Sequence, residues 1–155
     1  MALIHQKLYQ GENLAAIEMR DYFETIGTTI INSFGAKAQG VELEVNMPEI
    51  ELDVDTAIPI GLITNELITN SLKYAFQEKG DGKIFISMIK KEDNLIHLEI
   101  TDNGTHKSIG ISEGGTGFGT MLINLLTTQL GGELEQSTTQ GTATIIKFKL
   151  NQQAA

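Results

Sequence analysis

The sequence predicts an α+β domain of two layers: a mixed, mostly antiparallel sheet of about five to six strands with three helices on one face. Three observations carry this. Residues 17–34, 58–76 and 118–130 repeat their apolar positions at helical spacing. Lys83–Ile89 and Leu95–Thr101 alternate apolar and polar residues, and Val41–Val45 does so strictly, the period of a strand with one buried face. The steps between strands are short enough for an antiparallel or mixed sheet.

Bulk composition agrees and excludes several classes. The chain has 155 residues, 41% of them hydrophobic, with 16 glycines against 2 prolines, which suits one globular domain with a proper core. It has no cysteine, so disulfides and thiolate metal sites are excluded. The net charge is −9 and Arg20 is the single arginine. A nucleic acid would be repelled, and an anionic membrane surface is disfavoured for the same reason. A small anion is still acceptable if backbone amides, a metal ion and one or two lysines supply the local field. No apolar run reaches the roughly 18–20 residues of a membrane span, and the start MALIHQKLYQ lacks the plan of a signal peptide. The expectation is a cytoplasmic piece.

Taken in order, Met1–Gln10 reads as the end of a helix, and Asn13 as a cap for the next one. Ile17, Phe23, Ile26, Ile30, Ile31 and Phe34 line one side of the first full helix, with Gly35 as its stop. Val41–Val45 and Ile50–Val54 read as strands about the turn Met47-Pro48-Glu49, a candidate hairpin. Ile58–Phe76 is the central helix. Gly80-Asp81-Gly82 is a turn signal. The next two strands form a hairpin around the polar tip Lys90–Asn94, and residues 105–116 read as a mobile loop. Phe118–Leu130 is the third helix, closed by Gly131-Gly132; Glu133–Ser137 and Thr142–Leu150 are the final strand pair, and 151–155 a tail.

Three features lie at element ends, where ligands bind. On the central helix Ile60, Ile63, Leu67, Ile68, Leu72 and Ala75 gather on one side, and Glu66, Asn70 and Lys73 line up on the other. A carboxylate, an amide and an ammonium in one row can arrange a divalent cation and a phosphate chain, or can simply be a solvated face. Asp102-Asn103-Gly104 ends a strand; it offers a carboxylate to an exocyclic amine with room for a flat ring, or forms a plain Asx turn. Gly115-Thr116-Gly117-Phe118-Gly119 runs into a helix, and is either an anion cradle of converging N–H groups or a flexible junction. It is neither a Walker loop nor a dinucleotide fingerprint.

In this order and spacing the features resemble the ATP-binding site of the GHKL superfamily, above all the catalytic and ATP-binding domain of sensor histidine kinases. Asn65-Glu66-Leu67-Ile68-Thr69-Asn70-Ser71-Leu72-Lys73-Tyr74-Ala75 is similar to that family's N box. Asp102-x-Gly104 is similar to its G1 box and Gly115-x-Gly117-x-Gly119 to its G2 box. Ala2–Tyr9 resembles the segment that precedes this domain in the HisKA_2-type subgroup. The resemblance covers nearly the whole chain and implies a Bergerat fold, with residues 1–13 as the end of a dimerisation helix and linker, 14–151 as the ATP-binding domain and 152–155 as a tail.

The resemblance also implies roles. Asn70 would hold Mg²⁺ between the phosphates, Glu66 would polarise, deprotonate or orient the attacking group, and Lys73 and Tyr74 would contact phosphate or ribose. Asp102 would receive the adenine amine above Gly104, and Thr142 would lie near the adenine. Gly115, Gly117 and Gly119 would form the hinge and floor of a lid spanning residues 105–116, and Thr116 and Phe118 beside them would also bind ATP. Two departures stand out: His106 occupies the last glycine position of the G1 box, and no F box is evident.

The implied activity is transfer of the γ-phosphate of Mg-ATP to a histidine on a separate helical hairpin of the same receptor, with a response regulator downstream and a homodimer in the full-length protein. None of His5, His97 and His106 fits the acceptor pattern, so the chain reads as the catalytic module alone. Two alternatives stay open: a nucleotide-binding or interaction module with little kinase activity, and a serine kinase of the anti-sigma type.

Overall fold

In the computed structural model the chain runs through β1 (Ile17–Glu18), α1 (Met19–Phe34), β2 (Glu42–Val45), β3 (Glu51–Leu52), α2 (Val54–Asn70), β4 (Lys83–Lys91), β5 (Leu95–Asp102), α3 (Phe118–Gln129), β6 (Glu133–Ser137) and β7 (Thr142–Lys149). The structure describes residues 16–76, 82–104, 118–137 and 141–150. The expectations for Met1–Gln10, Asn13, Gly80-Asp81, the loop 105–116 and the tail lie outside them.

The hairpin around Lys90–Asn94 forms as expected. β4 and β5 pair antiparallel from Ile84↔Asp102 to Lys91↔Leu95. Asp93 and Asn94 turn the chain at φ 64° and 58°, a backbone region that short polar side chains tolerate. β7 pairs with the other side of β5 from Leu95↔Lys149 to Asp102↔Thr142, and β6 pairs antiparallel with β7. β2 lies parallel on β4, giving a five-stranded mixed sheet of order β2-β4-β5-β7-β6. Alternate residues Ile84, Ile86, Met88, Ile96, Leu98, Ile100, Ile146 and Phe148 are buried on one face. That face carries the core, and the predicted two-layer α+β architecture is borne out.

The apolar stripe read on the central helix is its buried side: Ile60, Ile63 and Ile68 are fully buried, and Leu67 and Leu72 nearly so. α2 packs between α1 and α3. It approaches α1 closely because Gly61 has no side chain; a Cβ there would overlap the Tyr22 hydroxyl. Gly35 ends α1 at φ 57°, and Gly131 ends α3 at φ 71°, with Gly132 N–H bonded to Thr127 O at 3.0 Å.

Tyr22 is fully buried, and its hydroxyl has no hydrogen-bond partner among the described residues. Burial pushes its pKa from 10.0 up to about 12, because the phenolate cannot be hydrated there. A raised folded-state pKa stabilises the fold fully below the unfolded value, and this stabilisation is lost as pH rises from 10 towards 12. The loss is on the order of 2–3 kcal/mol. Tyr22→Phe is therefore expected to match or slightly exceed the wild type at pH 8 and to keep its stability better near pH 11. Denaturant midpoints at the two pH values check this; parallel declines would refute it.

Two sequence expectations need correction. Val41–Val45 and Ile50–Val54 do not form a hairpin: β2 pairs with β4 and the short β3 pairs antiparallel with β1. The ladder of β2 continues at Asn46, whose N–H goes to Ile86 O at 2.9 Å, while Ile50 O accepts from Met19 N at 2.9 Å. Arg20 bonds Met47 O and Glu49 and so ties the link between them to the start of α1. The second correction concerns the central helix, which starts at Val54 and leaves only Glu51–Leu52 as strand. Pro59 lies inside the helix. The N–H groups of Thr56 and Ala57 both bond Asp53 O, which starts the helix upstream of the proline.

Candidate functional site

The last residue of β5, Asp102, lies opposite the first residue of β7, Thr142. Asp102 is only 5% exposed. Its Oδ1 accepts from Gly104 N at 3.0 Å and from Thr142 N at 3.3 Å. Its Oδ2 accepts from the Ser71 hydroxyl at 2.6 Å. The bond to Gly104 is the Asx turn that the sequence offered as one reading. The same carboxylate also reaches across to a second strand and to the end of a helix, which a plain turn does not do.

Each partner is delivered by local structure. Ser71 opens the wider helical turn Ser71–Ala75 that continues α2, and its N–H is shared between Ile68 O and Leu67 O. Asn103 extends the β4–β5 ladder: its N–H goes to Lys83 O at 3.2 Å, and its side-chain oxygen accepts from Lys83 N at 2.7 Å. Gly141 takes φ 79°, and a Cβ there would overlap the backbone oxygen of Asp102. The Thr142 Oγ1 beside it is buried with no hydrogen-bond partner among the described residues. A buried polar atom without a partner is costly in a folded protein unless something else satisfies it.

The polar row of the central helix is present. Glu66 and Asn70 are half-buried one turn apart on α2, and Lys73 is exposed on the turn after it. Glu66 lies against the first turn of α3, where a Cβ on Gly119 would overlap its carboxylate. The structure thus gathers Asp102, Gly104, Thr142 and Ser71 at one point, and Glu66 and Gly119 at another on the same helix. Tyr74 and Phe118 are placed by backbone alone, and Gly115, Thr116, Gly117 and His106 lie outside the described residues. His97 is half-buried within β5.

Sequence reasoning missed Ser71. It sits four residues after Leu67 and three after Ile68, on the apolar stripe, and a polar residue on a buried stripe needs a partner. That was the available signal. Among the described residues no group of three or more His, Cys, Asp or Glu could hold a metal ion, and no helix is long and apolar enough to cross a membrane.

This fold is that of histidine kinase catalytic domains. The histidine kinase domain of a blue-light-activated histidine kinase from Erythrobacter litoralis superposes with a TM-score of 0.78 at 24% identity, over 97% of this chain and 71% of that one. A family model described as histidine kinase-, DNA gyrase B-, and HSP90-like ATPase matches residues 55–154, and the chain belongs to that family. The sequence is 26% identical over 158 residues to blue-light-activated histidine kinase 2 of Erythrobacter litoralis, covering 94% of this chain and 44% of that protein. It is 31% identical over 65 residues to an anti-sigma F factor of Bacillus velezensis, covering 42% of this chain and 41% of that protein. The chain therefore spans less than half the length of these curated relatives.

Proposed function

We propose that the chain is the ATP-binding catalytic module of a cytoplasmic sensor histidine kinase of the HisKA_2 type. It would bind Mg-ATP and transfer the γ-phosphate to a histidine on a helical hairpin of the same receptor. Residues 1–13 would lead from that hairpin into the domain of residues 14–151. One observation carries the reading: a buried carboxylate, Asp102, held by its own turn, by the end of a helix and by a second strand, beside an unsatisfied threonine hydroxyl. An adenine offers an amine that can donate to an acid and ring nitrogens that can accept from a hydroxyl.

Asp102 would receive the amine and Thr142 a ring nitrogen or a bridging water, with the ring passing over Gly104. The phosphates would run towards Asn70, Lys73 and Tyr74 and the N-terminal end of α3, since a helix N-terminus favours anions. Asn70 would offer its amide oxygen to a magnesium ion that is otherwise held by phosphate and water, a mode that needs no carboxylate cluster. That ion would neutralise phosphate charge. Glu66 would orient or deprotonate the attacking imidazole as its nitrogen bonds to the γ-phosphorus and the bond to the bridging oxygen of ADP breaks. Positioning and charge neutralisation do the rest. A response regulator would take the phosphate onward, and the full-length receptor would be a homodimer.

Calorimetric titration with ADP, with and without magnesium, tests the nucleotide half. Asn70→Ala is expected to lower magnesium-dependent affinity about tenfold, the loss of one charge-assisted contact, with the fold intact. Equal affinities in matched titrations would remove that role. Phosphate transfer to an added hairpin that carries the acceptor histidine tests the kinase half. Binding without transfer would favour an interaction module. Transfer to a serine of an antagonist protein would favour the anti-sigma-type kinase, which the similarity over 65 residues keeps in view.

A further inference from the structure

β2 is the edge strand of the sheet, with β4 on one side and no strand among the described residues on the other. Backbone groups of a strand point to its two sides in turn. Glu42 N and Asn46 N donate to Gly82 O and Ile86 O on the β4 side. Leu43 and Val45 therefore turn their N–H and C=O groups outward, where no described residue pairs with them. The helix layer leaves room beside this edge. Glu24, Thr28 and Ile31 on one stripe of α1, with Val41, Leu43 and Val45 opposite, line an open groove of about 350 Å³. A water takes about 30 Å³, so the groove has room for aliphatic side chains.

Charge selects the occupant. Glu42 and Glu44 are exposed on the other face of the strand, and Glu24 is exposed at the groove. In register Lys83 stands beside Glu42 and Phe85 beside Glu44, so Glu44 has no cation opposite it on β4. These charges oppose a second copy, because antiparallel pairing about Leu43 would set Glu42 of one chain beside Glu44 of the other. The side chains of residues 1–15 include one lysine and one glutamate, so they bring no net charge to offset the acids. A strand added at this edge would turn alternate side chains to the groove, beside Leu43 and Val45, and the rest to the open face, beside Glu42 and Glu44. We propose that the outer edge of β2 and the groove beside it form a docking site for an extended segment of another protein, in which lysine or arginine alternates with apolar residues. The outward N–H and C=O groups set the register of that segment, the groove takes its apolar side chains and the glutamates take its cations. None of these residues belongs to the proposed nucleotide site, so the two proposals stand or fall separately.

The test titrates the nitrogen-15-labelled chain with a short capped peptide that alternates lysine and valine, followed by NMR. The amide signals of Leu43 and Val45 are expected to shift, and their hydrogen exchange to slow at least about tenfold at saturation. No shift of these amides at millimolar peptide would overturn the proposal. Replacing every lysine of the peptide by glutamate is expected to weaken binding at least about tenfold, and so is the double variant Glu42→Lys, Glu44→Lys, which changes two exposed side chains. Equal affinity of the two peptides for the wild type would remove the role of charge and overturn the proposal without any variant. Backbone methylation separates edge pairing from adhesion to the groove. N-methyl groups on the valines remove the donors that an antiparallel segment uses, and on the lysines those that a parallel one uses. At least one of the two methylated peptides is expected to bind about tenfold more weakly or worse. Unchanged binding of both would overturn the proposal. So would slow exchange of the Leu43 and Val45 amides before any peptide is added, because a second copy or another part of this chain would then already hold the edge.

Discussion

Asp102→Ala is expected to reduce affinity for adenine nucleotides by roughly 30- to 100-fold, the scale of losing a hydrogen bond to a charged group at a buried point. The variant would remove the proposed acceptor for the ligand. It also leaves the Ser71 hydroxyl and the N–H groups of Gly104 and Thr142 without the carboxylate that now receives them. A cost of about 1–3 kcal/mol in stability should accompany the lost binding. Calorimetry reports the first effect and thermal unfolding the second. An affinity within threefold of the wild type in a folded variant would end the role assigned to this residue.

Gly141→Ala is expected to damage the fold and the site together. The residue sits at φ 79°, where an L side chain is strained, and its Cβ would meet the backbone oxygen and carbon of Asp102. Backbone atoms in a paired strand cannot swing aside as a flexible side chain can. The left-handed conformation and the overlap together should cost about 2–4 kcal/mol. Relief requires Thr142 N to move away from Asp102, so nucleotide binding should weaken as well. Gly35→Ala is the fitting control, since Gly35 also has positive φ but open space around it. A Gly141→Ala variant no less stable than Gly35→Ala would show that the overlap is relieved at no cost.

Most of the architecture could be read from period alone, because three long helices and the hairpin Lys83–Asp102 bury one side each and announce it by spacing. What could not be read was the partner of a short strand. Val41–Val45 shows that it has a buried face, and nothing within five residues says whether its neighbour precedes or follows it; Lys83–Ile86, some forty positions on, takes the place beside it. At the site, Asp102, Gly104, Asn70 and Glu66 were legible through their order along the chain. Ser71 was not, because its meaning depends on a carboxylate 31 residues later.

That distance has an effect on how the module comes into being. The hydroxyl on the helix, the acid closing one strand and the amide opening another are separated along the chain by 31 and 40 residues. No local fragment contains the cleft, so it exists only once the β5–β7 ladder has zipped to its last rung. A nucleotide bound at the proposed site would act as a clasp on the finished assembly: it would bind the completed fold alone and draw the folding equilibrium towards it in proportion to its concentration over its dissociation constant.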